Sequence, residues 1–374
     1  MRKDWEYKKL GEVCDILDSQ RKPVTKKDRK KGIYPYYGAT GIQDFVDNYI
    51  FDGRYVLVGE DGAKWSANEK CAYIIEGKTW INNHAHVLST KNMVIDSFLT
   101  YYLNFSDLDS YISGAIIRKL TQSSLKSIPI PLPPKPTQLA IVAELDKINE
   151  LIQLKKQQLE DYDQLAQSIF YEMFGDPVEN EKGWEVKKLG EVCEVTSSKR
   201  IFADDYVEKG IPFYRSKEVI EKSKNLPISV ELFITEEKYN NINKSYGVPQ
   251  IDDILITAVG TIGKIWKVNT IEPFYFKDGN IIWIRKYNEI NSTYFKDSLY
   301  YLIDEFKKVN ANGAAYNALT IIKLKQMQVP LPPLPLQQQF AARIEAIERQ
   351  KQQVSETIKD LETLLASRMQ YWFD

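Results

Sequence analysis

The sequence predicts an α+β fold built as a pseudo-twofold internal repeat, with two β-rich heads of mixed α/β type joined by two long helices. Three duplications predict it. The proline cluster and helix start at 130–148 (IPLPPKPTQLAIVAELDKI) return 199 positions later at 329–347 (VPLPPLPLQQQFAARIEAI). At the same shift, Gly114-Ala115, Leu120-Thr121 and Leu125-Lys126 recur as Gly313-Ala314, Leu319-Thr320 and Leu324-Lys325. The opening stretch at 5–16 (WEYKKLGEVCDI) returns 179 positions later at 184–195 (WEVKKLGEVCEV). The chain is therefore two half-molecules with similar ends and different middles, the second middle being about twenty residues longer.

The helices follow from a ladder of alternating three- and four-residue steps: Leu145, Ile148, Ile152, Lys155, Leu159, Tyr162, Ala166, Ile169, Met173. Its copy is Ile344, Ile347, Lys351, Val354, Ile358, Leu361, Leu365, Arg368, Trp372. That period is the coiled-coil one, and the charged rungs Lys155, Lys351 and Arg368 trade stability for register. Each helix spans roughly 38 residues and about 57 Å. Neither can bury its stripe alone, so the two are expected to pack on each other rather than on two separate cores.

A chain of 374 residues with 43% hydrophobic content supports two or three domains with cores of their own. A net charge of −1 excludes a globally basic surface, so any nucleic-acid face must be local. The three cysteines Cys14, Cys71 and Cys193 make no disulfide framework, which suits a reducing cytoplasm. Neither a signal-type h-region nor a run of 18 apolar residues is present.

In chain order, the duplicated LGEVC segments read as strand-like, with Cys14 and Cys193 buried rather than nucleophilic. Residues 19–31 (SQRKPVTKKDRKK) read as an exposed basic loop, either a solvated charge run or a phosphate contact. The first middle, 32–113, is β-type sequence. Strands are predicted at 55–58 and 71–75, turns at Gly53, Gly59 and Gly62, and a helix within 93–108. Residues 80–88 (WINNHAHVL) would place His84 and His86 on one strand face. Two histidines do not make a metal site, and no third ligand is evident.

The cluster Ile128-Pro129-Ile130-Pro131-Leu132-Pro133-Pro134 is not helix, because proline lacks an N–H and biases its predecessor to extended backbone. Its duplication before each long helix favours a rigid elbow over a polyproline ligand for a partner domain. The first long helix is predicted from Pro136 to Phe174, ended by Gly175-Asp176-Pro177. The second middle, 197–312, reads as a turn and buried strand at 251–257 and a tight turn at 259–264. A further turn and strand follow at 274–285, then a helix at 294–306. The spacing GxxGK at 260–264 is not that of a phosphate-cradling loop.

Shared ends imply one kind of partner bound twice. Differing heads imply two targets read by one bivalent adaptor. At this point the chain resembles the specificity subunit of type I restriction–modification systems. The residues that carry the resemblance are the paired WE-x-KKLGEV entries, the LT-x3-LK-x3-(I/V)P-L-PP elbows with Gln138 and Gln337 behind them, and the duplicated helices. In the heads, Tyr37-Gly38-Ala39-Thr40-Gly41, the 82–86 segment, and Asp252-Asp253-Ile254-Leu255 through Lys264 are similar to target-recognition segments.

The resemblance implies target-recognition domains at 1–127 and 177–326, and proline elbows with spacer helices at 128–176 and 327–374. It further implies an antiparallel coiled coil and a bipartite DNA target. Two modification subunits would carry S-adenosylmethionine and methylate adenine N6. Two restriction subunits could join them and cleave DNA with ATP and Mg. The chain itself is then a non-catalytic, cytoplasmic reader without cofactor or metal. The sequence agrees, since Pro133-Pro134 and Pro332-Pro333 lack the asparagine of an adenine-methylase motif, and there is no Walker lysine motif or evident nuclease carboxylate cluster.

The DNA-contact candidates are polar and aromatic loop residues. In head one they are Arg21, Lys22, Lys26, Lys27 and Arg29 of the basic loop, then Tyr36, Tyr37, Thr40 and Lys64, then Asn82, Asn83, His84 and His86. In head two they are Lys199, Arg200, Tyr214, Arg215, Lys217, Thr261, Lys264, Lys277 and Asn280. Arg and Lys suit phosphate or guanine, and Asn suits adenine. The rivals are a bivalent protein-binding coiled-coil scaffold without DNA readout, and a methyltransferase fused to its own reader.

Overall fold

The structure is a computed structural model and describes residues 5–114, 116–287, 289–310 and 318–374. Ala115, Asn312 and the Gly313-Ala314 copy lie outside the described residues. The chain forms two compact units, Met1–Gln158 with Val354–Asp374, and Leu159–Gln353, so each takes a part of both long helices.

The first unit opens with β1 (Glu6–Lys9), the helical turn α1 (Leu10–Val13) and β2 (Cys14–Ile16). The strands β3 (Lys31–Gly38), β4 (Gly41–Val46), β5 (Phe51–Gly59), β6 (Ala72–Ile81) and β7 (Ala85–Thr90) follow. Next come α2 (Asp96–Phe105), β8 (Ile112–Ser113), β9 (Lys119–Leu120), α3 (Gln122–Ser127), β10 (Pro129–Leu132) and the long α4 (Lys135–Phe174). Among the described residues, six strands make one sheet in the order β2-β7-β5-β6-β3-β4, in which only the β3–β6 pairing is parallel.

The elbow is a strand in its own right. β10 pairs antiparallel with β1, Glu6 opposite Leu132 and Lys9 opposite Pro129. Prolines are tolerated because the pair is two-stranded and each strand keeps an outer edge. Gln138, buried just past the elbow, ties elbow to head. Its Nε2 donates to the Pro133 and Met93 carbonyls at 2.9 and 3.0 Å, and its Oε1 accepts from Ile95 N–H at 3.0 Å.

The second unit repeats this frame with β11 (Glu185–Lys188), α5 (Leu189–Val192), β12 (Glu194–Thr196), β13 (Tyr206–Val207), β14 (Ile211–Tyr214), α6 (Ser216–Ser223), β15 (Phe233–Ile234) and α7 (Glu236–Ser245). The chain continues through β16 (Ile254–Thr257), β17 (Ile265–Lys267), β18 (Tyr275–Phe276), β19 (Ile281–Arg285), α8 (Ser292–Asn310), α9 (Ile321–Gln326), β20 (Gln328–Leu331) and α10 (Leu334–Phe373). β20 pairs with β11 as β10 does with β1. Gln337 donates to Pro332 O at 2.7 Å and accepts from Asn291 N–H at 2.8 Å, the same latch in the second copy.

The helices run antiparallel within each unit. In the first, Glu144 accepts from Arg368 and Trp372, and Lys156 pairs with Glu362 at 3.0 Å. In the second, Lys351 pairs with Asp163 at 2.7 Å. Two of the charged rungs thus carry their own counter-ions, and Lys155 donates to Gln158 at 3.0 Å.

Three sequence expectations are corrected. LGEV is a helical turn in both copies, set between one strand before it and another after it; the amides of Cys14 and Cys193 bond back to the Leu10 and Leu189 carbonyls. Gly53 and Gly59 lie inside β5 rather than in turns. At Gly59 a Cβ would meet Ala63 Cβ at 2.3 Å, so a close approach rather than a turn requires the glycine there. The 80–88 stretch is two strands broken by a turn, so His84 and His86 do not share a strand face.

Candidate nucleic-acid interface

Head one ties its loops to one another through backbone bonds. Lys22 N–H donates to Ile81 O at 3.3 Å, and Asn82 N–H donates to Tyr37 O at 3.1 Å. Glu60 N–H donates to His84 O at 2.8 Å, and Asp47 N–H to Lys30 O at 3.0 Å. The basic loop, the β3–β4 hairpin, the 60–64 loop and the 82–84 turn therefore form one connected surface.

Beneath it lies a charged cluster. Arg21 reaches Glu60 at 2.5 Å and Asp18 at 3.3 Å and donates to the Ala85 carbonyl at 2.8 Å. Lys119 reaches Glu60 at 2.7 Å. His86, buried, sets Nδ1 2.6 Å from Asp18 Oδ2 and Nε2 2.7 Å from Leu120 O. Burial alone would raise Asp18, but the His86 hydrogen bond and charge, the Val87 amide and Gln122 hold it below the usual aspartate range. Glu60 is likewise raised by burial and brought lower by Lys119, Arg21 and His86.

Asp18, Glu60 and His86 offer three ligand atoms within 4.8 Å of one another. The guanidinium of Arg21 and the ammonium of Lys119 already neutralise that cluster, so a metal ion would have to displace them.

The sequence-chosen residues divide by exposure. Lys22, Lys26, Lys27, Thr40, Lys64, Asn83 and His84 are exposed. Among the described residues, no acidic group lies within ion-pair distance of Lys22, Lys26 or Lys27. Lys64 pairs with Glu69, and His84 Nδ1 lies 2.6 Å from Asp61. Arg29 is anchored by Asp44 at 3.2 Å and lies 4.1 Å from the Tyr36 ring centroid. Tyr37 is half-buried, and its burial raises its hydroxyl pKa.

Tyr36, Asn82 and His86 face the interior, as Tyr214 does in head two. Their polar atoms bond within the head: Tyr36 Oη accepts from Val24 N–H at 3.0 Å, and Asn82 Oδ1 from His84 N–H at 2.8 Å. Arg21 is spent on the cluster in the same way. These side chains shape the surface rather than line it.

Head two converges similarly. Lys199 N–H donates to Tyr275 Oη at 2.7 Å, and Arg200 pairs with Asp278 at 2.9 Å. Ala258 N–H donates to Asn280 O at 2.8 Å, and Lys277 N–H to Tyr214 O at 2.8 Å. The 258–264 turn is closed by Thr257 Oγ1, which donates to Thr261 O at 2.5 Å and accepts from Lys264 N–H at 3.0 Å. Lys199, Arg200, Thr261, Lys264, Lys277 and Asn280 are thereby brought together. Arg215 and Lys217 are instead drawn to Glu231, at 2.9 and 3.2 Å.

The two middles, unlike in sequence, share one backbone scheme. Glu60 N–H to His84 O and Leu120 N–H to Glu60 O in head one match Ala258 N–H to Asn280 O and Leu319 N–H to Ala258 O in head two. In both, an aromatic strand runs parallel to a second strand, Tyr37 beside Ile81 and Tyr214 beside Phe276. The frame is common, and the loop side chains on it differ. The sequence hid this because backbone bonds leave no residue signature. Asp18 and Glu60, absent from the candidates, were hidden for a related reason: most of their partners, Arg21 of Glu60 and Val87 and Gln122 of Asp18, stand 39 to 104 residues away along the chain.

The family model for the type I restriction modification DNA specificity domain matches residues 2–161 and 181–363. A putative type I restriction enzyme specificity subunit of Haemophilus influenzae is 32% identical over 367 residues, 94% of this chain and 89% of that one. A type I specificity subunit of Methanocaldococcus jannaschii is 25% identical over 389 residues, covering 92% and 87%. Among solved structures, the S subunit of a type I system from M. genitalium superposes with a TM-score of 0.58 at 16% identity, over 99% of this chain and 96% of that one. Two matched segments, one per half-molecule, coincide with the duplication, and the chain belongs to the family of type I restriction–modification DNA specificity proteins.

Proposed function

We propose that this chain reads a bipartite DNA sequence, one half-site per head, for partner subunits that act on it. The observation that carries the reading is the shared backbone frame with unlike loop side chains. A common scaffold with two different polar surfaces suits two different base sequences better than one target bound twice. The lysines without acidic partners in head one favour a polyanion over a neutral protein surface. With a net charge of only −1 overall, tight binding calls for help from partners.

The long helices leave Leu139, Leu151, Leu154, Leu165 and Leu364 exposed, apolar surface suited to helices of two modification subunits. Those subunits would carry S-adenosylmethionine and methylate adenine N6. Restriction subunits using ATP and Mg would join them. The chain itself supplies no catalytic group. No helix among the described residues is long and apolar enough to cross a membrane, and the site of action is the cytoplasm.

An adenine-methylation map of the host genome, with and without this gene, tests the reading. Loss of N6-methyladenine at one interrupted motif is the expected result. A map that does not change when the gene is deleted would overturn it.

A further inference from the structure

Three successive carbonyls at the turn between β6 and β7 are taken up within head one. Asn83 O and Ala85 O lie 3.3 and 2.8 Å from Arg21 Nη1, and His84 O accepts from Glu60 N–H at 2.8 Å. Two amides are held as well: Asn82 N–H donates to Tyr37 O at 3.1 Å, and His84 N–H to Asn82 Oδ1 at 2.8 Å. The side chains of the turn divide. Asn82 is buried, and its Nδ2 donates to Gln43 Oε1 at 3.2 Å. His84 Nδ1 lies 2.6 Å from Asp61. Asn83 is exposed, and among the described residues its carboxamide has no hydrogen-bond partner.

Head two holds the corresponding turn, between β18 and β19, by similar bonds. It runs over residues 277–280, one more than 82–84 in head one. Lys277 N–H donates to Tyr214 O and Asn280 O accepts from Ala258 N–H, both at 2.8 Å, as Asn82 N–H and His84 O do in head one. The longer turn takes a left-handed step at Gly279, at φ +72°, whose N–H donates to Ser197 Oγ at 3.4 Å. Arg200, 179 positions after Arg21, binds Asp278 at 2.9 Å. Asn280 is exposed, and its carboxamide too has no partner among the described residues. The acids beside the turns, Asp61 and Asp278, are already paired. Lys22, whose N–H donates to Ile81 O, and Lys277 have no acidic group within ion-pair distance among the described residues. A cation available to phosphate therefore stands at the start of each turn.

A carboxamide left unbonded by its own fold, on a backbone held at each side, is ordered before its ligand arrives. It sets a donor beside an acceptor, and the major-groove edge of adenine, with its N7 acceptor beside its N6 donor, is the complement. We propose that Asn83 and Asn280 are specificity-determining residues, each reading an adenine of its own half-site. This rests on the DNA-reader function proposed above. A partner shared by both halves would instead meet turns of unequal length and sequence.

The test is single-base methylation mapping in a host carrying the full system with Asn83→Ala or Asn280→Ala. Each variant is expected to relax discrimination at one A·T pair by at least about fivefold, Asn83→Ala in one half-site and Asn280→Ala in the other. The gap should stay unchanged. Neither carboxamide is bonded within the fold, so thermal melting should match wild type and exclude misfolding. A duplex carrying 7-deazaadenine at the affected position lacks the N7 acceptor. It should bind the purified wild-type complex more weakly than the natural duplex does, and should bind the variant complex no more weakly. The proposal is overturned by an unaltered motif in either variant, by relaxation at a G·C pair, or by both variants blurring the same half-site. Uniform loss of methylation with the same bases preferred would reduce the turns to phosphate contacts and overturn it too. So would failure of a normally melting variant to co-purify with its modification partner, which would make the turns a protein dock. A wild-type map without an interrupted motif would instead sink the reader function itself.

Discussion

Asp18 and His86, 68 residues apart, meet at 2.6 Å beneath the basic loop of head one. The other ring nitrogen of His86 lies 2.7 Å from Leu120 O. Head two has no such pair. The 179-position shift puts Ser197 where Asp18 stands, and Ser197 Oγ donates to Ile281 O at 2.9 Å.

Asp18→Asn should destabilise the protein by about 3 kcal/mol, the usual cost of removing one partner of a buried ion pair. The Asp18 carboxylate is held below its ordinary value of 3.8, so its stabilisation is fully present above that pH and is lost as pH falls through the lower folded value. Urea unfolding between pH 7 and pH 3 checks this. The wild type should lose its advantage over Asp18→Asn in the acid limb, and parallel curves would refute the assignment.

Replacing Lys22, Lys26 and Lys27 together by Gln should weaken DNA binding about equally across sequences. It should also flatten the plot of log affinity against log salt by up to about 3 units if all three lysines meet phosphates. The isolated wild-type chain should bind weakly with a steep slope, and the complex more tightly. A slope unchanged by the triple replacement would remove these lysines from the interface.

Leu145→Ala and Arg368→Gln separate packing from charge in the helix pair. Leu145 is fully buried in the core of the first unit, and its truncation should cost about 3 kcal/mol. Arg368 and Glu144 are each about one-third exposed, at 31% and 33% of their side chains, so that bond should contribute clearly less than the packing of Leu145. Chemical denaturation of both variants decides, and equal losses would mean that the ion pair is more important than its exposure implies.

Cys14, Cys71 and Cys193 are buried, and burial pushes each thiol up to about 12. None should react with a thiol reagent at pH 8 in the native protein, and all three should react in denaturant. Rapid native labelling of any one would show that its element opens.

The duplications made the halves, elbows and long helices legible, because repeats and a 3.5-residue ladder are written in residue identity. The interface was legible as a set of loops but not as a set of exposed side chains. Arg21 looks like Lys22 in sequence, but Glu60, 39 residues away, draws it inward together with Asp18 and the Ala85 carbonyl. His84 and His86 differ in fate because the turn after Asn82 ends one strand and starts the next. That turn is fixed by Asn82 Oδ1 accepting from His84 N–H, and a strand pattern carries no trace of it.

The antiparallel helices also fix an order of assembly. Phe373 packs edge-on against Phe98 and Tyr102, with ring centroids 5.5 and 5.6 Å away, inside the first unit. During synthesis, the residues that begin this unit leave the ribosome more than two hundred codons before the residues that seal its core. The second unit, contiguous from Leu159 to Gln353, can close first. The half that is translated first is therefore the last to be completed, and until then its aromatic floor is open to chaperones.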